Sequence, residues 1–153
     1  MLYLYNYFTK FFTISYSGSF QEAGVIQAAN AFNCPLRVAD LQPKELTAAL
    51  SDSSAVNTSL FEVDTPQVLV QTVKMAEDGS QTLVVRLNEA FGGSVVAMLM
   101  SRLSFSDVQV CNGLEDADCD DLEVEVQAKT TDTGSEIVVE MSAFQIVSLR
   151  CSL

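Results

Sequence analysis

The sequence runs to 153 residues, 48% of them hydrophobic, enough to close one apolar core and part of a second. Lys and Arg number 8 against 20 Asp and Glu, a net charge of −12 that repels phosphate backbones and anionic lipid and so argues against nucleic-acid or membrane-surface partners. There is no histidine, so neither an imidazole-based metal site nor a Ser-His or Cys-His nucleophile pair can be assembled from these residues alone.

Residues 1–16 differ in kind from the remainder of the chain. All four tyrosines (Tyr3, Tyr5, Tyr7, Tyr16) lie there with Phe8, Phe11 and Phe12. The stretch is shorter than the ~20 apolar residues of a membrane span, and Asn6 and Lys10 interrupt it. It lacks the basic start and small-residue cleavage site of a secretory signal. Its alternation suits a strand; the other reading is an aberrant leader or a truncated start.

Ser19-Phe20-Gln21-Glu22 has the Ser-x-x-Glu form of a capping box, so a helix is expected from this point. Val25, Ala28, Ala29 and Phe32 give it one apolar face, and Asn33-Cys34-Pro35 ends it. Between Arg37 and Thr58 the pattern weakens into a connector. A short helix over 43–50, with Pro43 in its first turn, and the loop composition Ser51-Asp52-Ser53-Ser54 are its features.

The strongest strand patterning spans 66–103. Apolar residues recur at period two over 67–75 and again over 82–90. The Asp78-Gly79 pair between them closes a hairpin. After Gly92-Gly93 a third strand, 94–103, has apolar residues on both faces (Val95, Ala97, Leu99 and Leu103; Val96, Met98 and Met100) and should be central. Shorter strands come next around Val108 and Val110, over 122–128, over 136–141 beyond the Asp132-Thr133-Gly134 turn, and over 144–151. Seven or eight short strands with frequent turn signals favour an antiparallel sandwich. The fold class expected is mainly β, an antiparallel β-sandwich with one N-terminal helix.

Candidate chemistry is sparse. Asp116, Asp118 and Asp120 alternate like the start of a calcium loop, but Asp121 stands where that loop needs Gly and Gln127 where it needs a bidentate Glu. With Glu115 and Asp121 they read as a solvated acidic turn. Arg86 and Glu89 are charged within an otherwise apolar strand, and three positions apart they point to opposite faces, which excludes a catalytic pair. Each either ties the sheet to a neighbouring layer or faces a sugar. Cys34, Cys111, Cys119 and Cys151 lack metal-ligand spacing and favour thiols in a reducing compartment over disulfides. Asn57-Thr58-Ser59 is a glycosylation sequon, of consequence only in a secreted chain.

Beyond composition and periodicity, several segments resemble a known family. Gly18-Ser19-Phe20-Gln21-Glu22-Ala23-Gly24-Val25-Ile26-Gln27-Ala28-Ala29, with Asn33 and Pro35-Leu36, is similar to the late part of glycoside hydrolase family 38 α-mannosidases of the cytosolic type. Val70-Gln71-Thr72-Val73-Lys74-Met75-Ala76, Val85-Arg86-Leu87-Asn88-Glu89-Ala90 with Gly92, and Phe144-Gln145-Ile146-Val147-Ser148-Leu149 resemble that family's final β domain, in the same order. The resemblance implies one piece of an enzyme that hydrolyses terminal α-mannosyl residues. In the family, zinc or another divalent metal and an Asp nucleophile belong to an N-terminal catalytic domain, and retention needs two carboxyl groups about 5 Å apart. None of those groups maps onto this sequence, so catalytic, cofactor-binding and metal residues are all expected to be absent.

The organisation implied is an aromatic leader (1–17), the tail of a preceding β domain with helix and connector (18–58), and a C-terminal β-sandwich (59–153). The expected partners are the parent's catalytic domain and a mannose-containing oligosaccharide, with a cytoplasmic location. The rival reading is a free-standing carbohydrate-binding or protein-interaction module. Separation from the preceding domains should uncover the Ala-rich helix face and a sheet edge.

Overall fold

The structure, a computed structural model, describes residues 11–37, 59–117 and 124–153. The helix expected over 43–50, residues 1–10, Asn57 and Thr58 of the sequon, Cys119, Asp118, Asp120, Asp121 and Leu122 lie outside them. The chain divides into two compact units, Met1–Asp40 and Leu41–Leu153.

In the first unit, residues 11–16 of the aromatic stretch form no strand. The capping box forms reciprocally: Glu22 N–H donates to Ser19 Oγ at 3.2 Å while Ser19 N–H and Oγ–H donate to Glu22 Oε2 at 3.2 and 2.9 Å. It closes a turn and does not open the helix directly. Gly24 at φ 65° enters the left-handed region, and α1 (Val25–Asn33) begins only after it. The Phe12 ring stacks on Phe32, centroids 4.9 Å apart. Within α1 no residue is fully buried.

The second unit is a sandwich of two four-stranded antiparallel sheets. Its strands are β1 (Phe61–Val63), β2 (Val68–Met75), β3 (Thr82–Glu89), β4 (Val95–Ser101), β5 (Asp107–Cys111), β6 (Val126–Thr131), β7 (Gly134–Met141) and β8 (Ile146–Ser152). The first sheet runs β1-β4-β7-β6 and the second β2-β3-β8-β5. Period-two alternation turns one side chain in two toward the facing sheet. Ala97, Leu99, Ile137, Val139 and Met141 from the first sheet meet Val68, Val85, Leu87, Val147, Leu149 and Cys151 from the second. Full burial of each large aliphatic side chain contributes about 1.5–3 kcal/mol.

Three expectations change. The strand 94–103 is interior to its sheet, between β1 and β7, yet its outer face is open: Val96 is 62% exposed and Met98 and Met100 are half-buried. Of the described part of the alternation expected over 122–128, Val124 and Glu125 are not in a strand, and β6 begins at Val126 and runs on to Thr131; Ala128 is exposed, because β6 is an edge strand with little of it covered. The last strand starts at Ile146, since Phe144 turns at φ 57° before it.

Gly134 opens β7 at φ 144°, and a Cβ added there would stand 1.9 Å from the Ser101 carbonyl oxygen. The neighbouring β4 backbone leaves no space for a side chain. Gly134→Ala is therefore expected to cost about 2–3 kcal/mol, seen as a lowered urea midpoint of the full chain. Gly113→Ala, where an added Cβ meets nothing within 4 Å, should leave the midpoint in place.

Candidate functional site

β3 carries both Arg86 and Glu89, and the pleat separates them. Glu89 shares the inward face with Val85 and Leu87 at the end of the strand and has no exposed surface. Its carboxylate accepts amide hydrogen bonds from Phe144 at 2.7 Å, Phe91 at 2.8 Å and Gly92 at 2.9 Å. Burial pushes the Glu89 carboxyl up, but these amides, with the Gln67 carboxamide, outweigh it and hold the group at about 2. A carboxylate so occupied has no proton to give at neutral pH and no open approach to a ligand. The knot also explains the backbone around it. Phe144 and Gly92 both have positive φ, and the Phe144 ring lies where a Gly92 side chain would be, 2.5 Å from an added Cβ.

Arg86 points the other way, onto the outer face of the second sheet. The antiparallel registers set Lys74 beside Val84 beside Arg150, and in the next row Thr72, Arg86, Ser148 and Cys111. Chain segment 112–117 folds back over this face. Asn112 Oδ1 accepts the Leu114 and Asp116 amides at 2.8 and 3.0 Å. Glu115, at φ 72°, is 7% exposed and pairs with Lys74 at 2.7 Å while accepting the Glu77 amide at 2.8 Å. Lys74 and the Glu77 amide hold the Glu115 carboxyl below its usual range. Arg150 donates to the Glu115 carbonyl at 3.0 Å and pairs with Asp78, and Arg86 Nη2 donates to the Gly113 carbonyl at 3.0 Å. The solvated acidic turn expected at Glu115 is thus a docked segment, because lysine and arginine side chains on neighbouring strands neutralise and pin it.

Between the segment and the sheet lies an open cleft of about 510 Å³, lined by Gln71, Thr72, Arg86, Asn112, Ile146 and Ser148 among others. On the first sheet a second cleft of about 340 Å³ carries Glu62 and Glu136 on either side of Met100. Two strand spacings separate their backbones by about 10 Å. Among the described residues no group of three or more His, Cys, Asp or Glu side chains is placed to hold a metal ion. Cys34, Cys111 and Cys151 are thiols. Burial, then the neighbouring Cys111, pushes the Cys151 thiol up to about 12.

Residues 67–149, from the start of β2 into β8, match the model of the glycosyl hydrolases family 38 C-terminal beta sandwich domain. The chain belongs to this family. It is 35% identical over 136 residues to human alpha-mannosidase 2C1, covering 88% of this chain and 12% of that protein. The mouse alpha-mannosidase 2C1 is 38% identical over 105 residues, 67% of this chain and 9% of that protein, and alpha-mannosidase G of Dictyostelium discoideum 29% over 102 residues. The chain therefore spans about a tenth of the length of these relatives. It is a family 38 C-terminal domain, and no helix among its described residues is long and apolar enough to cross a membrane.

Within this family 38 sandwich, Arg86 is brought to a cleft and Glu89 is not. Sequence reasoning missed Lys74 and Arg150, whose signal was a charge at alternate positions of an apolar strand, as at Arg86. Phe144 and Gly113 had no signal, because their parts are played by backbone groups. Glu89→Gln keeps the shape of the knot but removes its charge and sets an N–H group against amide donors. It is expected to cost about 2–3 kcal/mol at neutral pH in urea unfolding. The Glu89 folded value of about 2 lies below the ordinary 4.5. Its contribution is then complete above pH 4.5 and lost as pH falls toward 2, so the variant's stability should decline less steeply than the parent's across that window.

Proposed function

We propose that this chain is the C-terminal β-sandwich of an α-mannosidase that hydrolyses terminal α-mannosyl residues, and that it has no turnover by itself. The observation that carries the reading is the family 38 match over 67–149 together with relatives that are each named an alpha-mannosidase. The divisions 1–17, 18–58 and 59–153 go with it, as leader, end of the preceding domain and final domain. The partner is the catalytic part of the parent enzyme, and the ligand of the whole is a mannose-containing oligosaccharide.

The geometry agrees with a supporting part. Glu89 is sealed by amide donors, and Glu62 and Glu136 are held on non-adjacent strands. Arg86 is the side chain offered for contact with sugar. The described residues do not fit the divalent metal that the family's reaction uses: histidine is absent and no three of their carboxylates and thiols are placed to hold a metal ion. That group, and the chemistry it supplies, belongs to the other part of the enzyme. The thiols at Cys34, Cys111 and Cys151 suit a reducing, cytoplasmic compartment. Val96, Met98, Met100 and Val138 leave an apolar strip on the outer face of the first sheet, of the kind a neighbouring domain covers.

The test is hydrolysis of a chromogenic α-mannoside by the purified chain, alone and mixed with a separately produced catalytic part, with divalent metal added. No turnover alone and a gain on mixing is the expected result. Turnover by the chain alone would overturn the reading.

A further inference from the structure

We propose that the cleft between segment 112–117 and the outer face of the second sheet is a binding site for a neutral saccharide, with mannose as the sugar expected. Arg86, Asn112 and Gln71 hydrogen-bond its hydroxyls, and Ile146 carries the apolar face of the ring. The choice of mannose rests on the α-mannosidase reading; the chemistry of the cleft does not.

Hydrogen-bonding capacity favours a polyol. Arg86 lines the cleft, yet among the described residues only its Nη2 has an acceptor, a neutral carbonyl, and its Nε is buried without one. The buried Nε lies out of a ligand's reach, but a guanidinium carries five N–H donors and a single bond to Gly113 leaves terminal donors that a ligand in the cleft can use. The Asn112 carboxamide oxygen is taken by the Leu114 and Asp116 amides, so what this side chain has left to offer is its NH2 donor. Gln71 sits at the register shift between Val70 and Thr72, where the β2–β3 ladder skips it, and is exposed at the cleft wall. Thr72 and Ser148 add hydroxyls from the sheet floor.

Charge favours a neutral ligand. Lys74, Arg86 and Arg150 meet Glu77, Asp78 and Glu115, and Asp116 lies on the same segment, so the cluster carries no cationic excess. With a chain of net charge −12 around it, the cleft offers an anion little, whereas a polyol brings acceptors and donors without charge. Ile146, 58% exposed at one end, matches the alkyl face of a pyranose. The opening of about 510 Å³ falls in the range of roughly 300–1,000 Å³ in which small-molecule sites occur.

The test is a nuclear magnetic resonance titration of the full chain with α-mannobiose, with maltose, sodium acetate and sodium sulfate as parallel probes. Saturable shifts with mannobiose, centred on Gln71, Arg86 and residues 112–113, are expected. Arg86→Ala should weaken binding by about tenfold or more. Gln71→Ala, a change at an exposed edge-strand position, should weaken it by a few fold without touching the fold, and Glu136→Gln on the other sheet should leave it unchanged. Saturation by maltose in place of mannobiose would uphold the saccharide cleft and count against the mannosidase reading, so the two fail separately. No saturable shift with either sugar, shifts that Gln71→Ala and Arg86→Ala leave intact, or saturation by acetate or sulfate in preference to sugar would overturn the proposal.

Discussion

The pairing of β3 with β8 is the constraint on which the sandwich depends. Seven residue pairs, from Thr82–Ser152 to Asn88–Ile146, join the middle of the unit to its end. Both strands are interior to their sheet, with β2 and β5 on the outer sides. A slip of one residue would turn Val85, Leu87, Val147 and Leu149 out to water and bring Arg86 and Arg150 into the core, so burial specifies the register strongly. The ladder thus sets the inner face and, by the same alternation, the row of cations on the outer one. Core and cleft are two sides of one register.

Electrostatics then finishes what the ladder begins. In a chain with only 8 basic residues, Lys74, Arg86 and Arg150 come together across adjacent strands and hold an acidic segment that would otherwise be solvated. A surface pair of this kind is worth little in isolation. Here Glu115 is almost wholly enclosed, and several donors converge on one segment, so the contacts fix the shape of the cleft wall. At the far end of β3 the same logic is applied to backbone: a single carboxylate gathers amides from two turns and stabilises positive φ at Phe144, a conformation costly for any residue with a side chain.

The unit keeps two open features on its outer faces. One cleft is donor-rich and neutral, and one sheet face presents methionine and valine bordered by Glu62, Glu136 and Glu140. An isolated sandwich would keep such a strip polar. Exposed apolar patches of this kind mark contact surfaces.

Much of the sandwich was legible in the order of residues alone. Period-two alternation over 67–75, 82–90 and 94–103 and the Asp78-Gly79 turn are local signals, set by the pleat and by backbone freedom, and they survive folding. The two apolar faces of 94–103 were legible too, but not that one would stay open, because burial depends on what packs alongside. Tertiary structure alone decided that Glu115 is enclosed, that Glu89 is saturated by amides from 91, 92 and 144, and that Arg86 meets Gly113. Those partners lie far along the chain or are backbone atoms common to every residue, so no pattern of side chains encodes them. Composition and periodicity determined which strands form and which face is apolar; the pairing of distant strands determined which charges meet, because that register exists only once the chain has closed on itself.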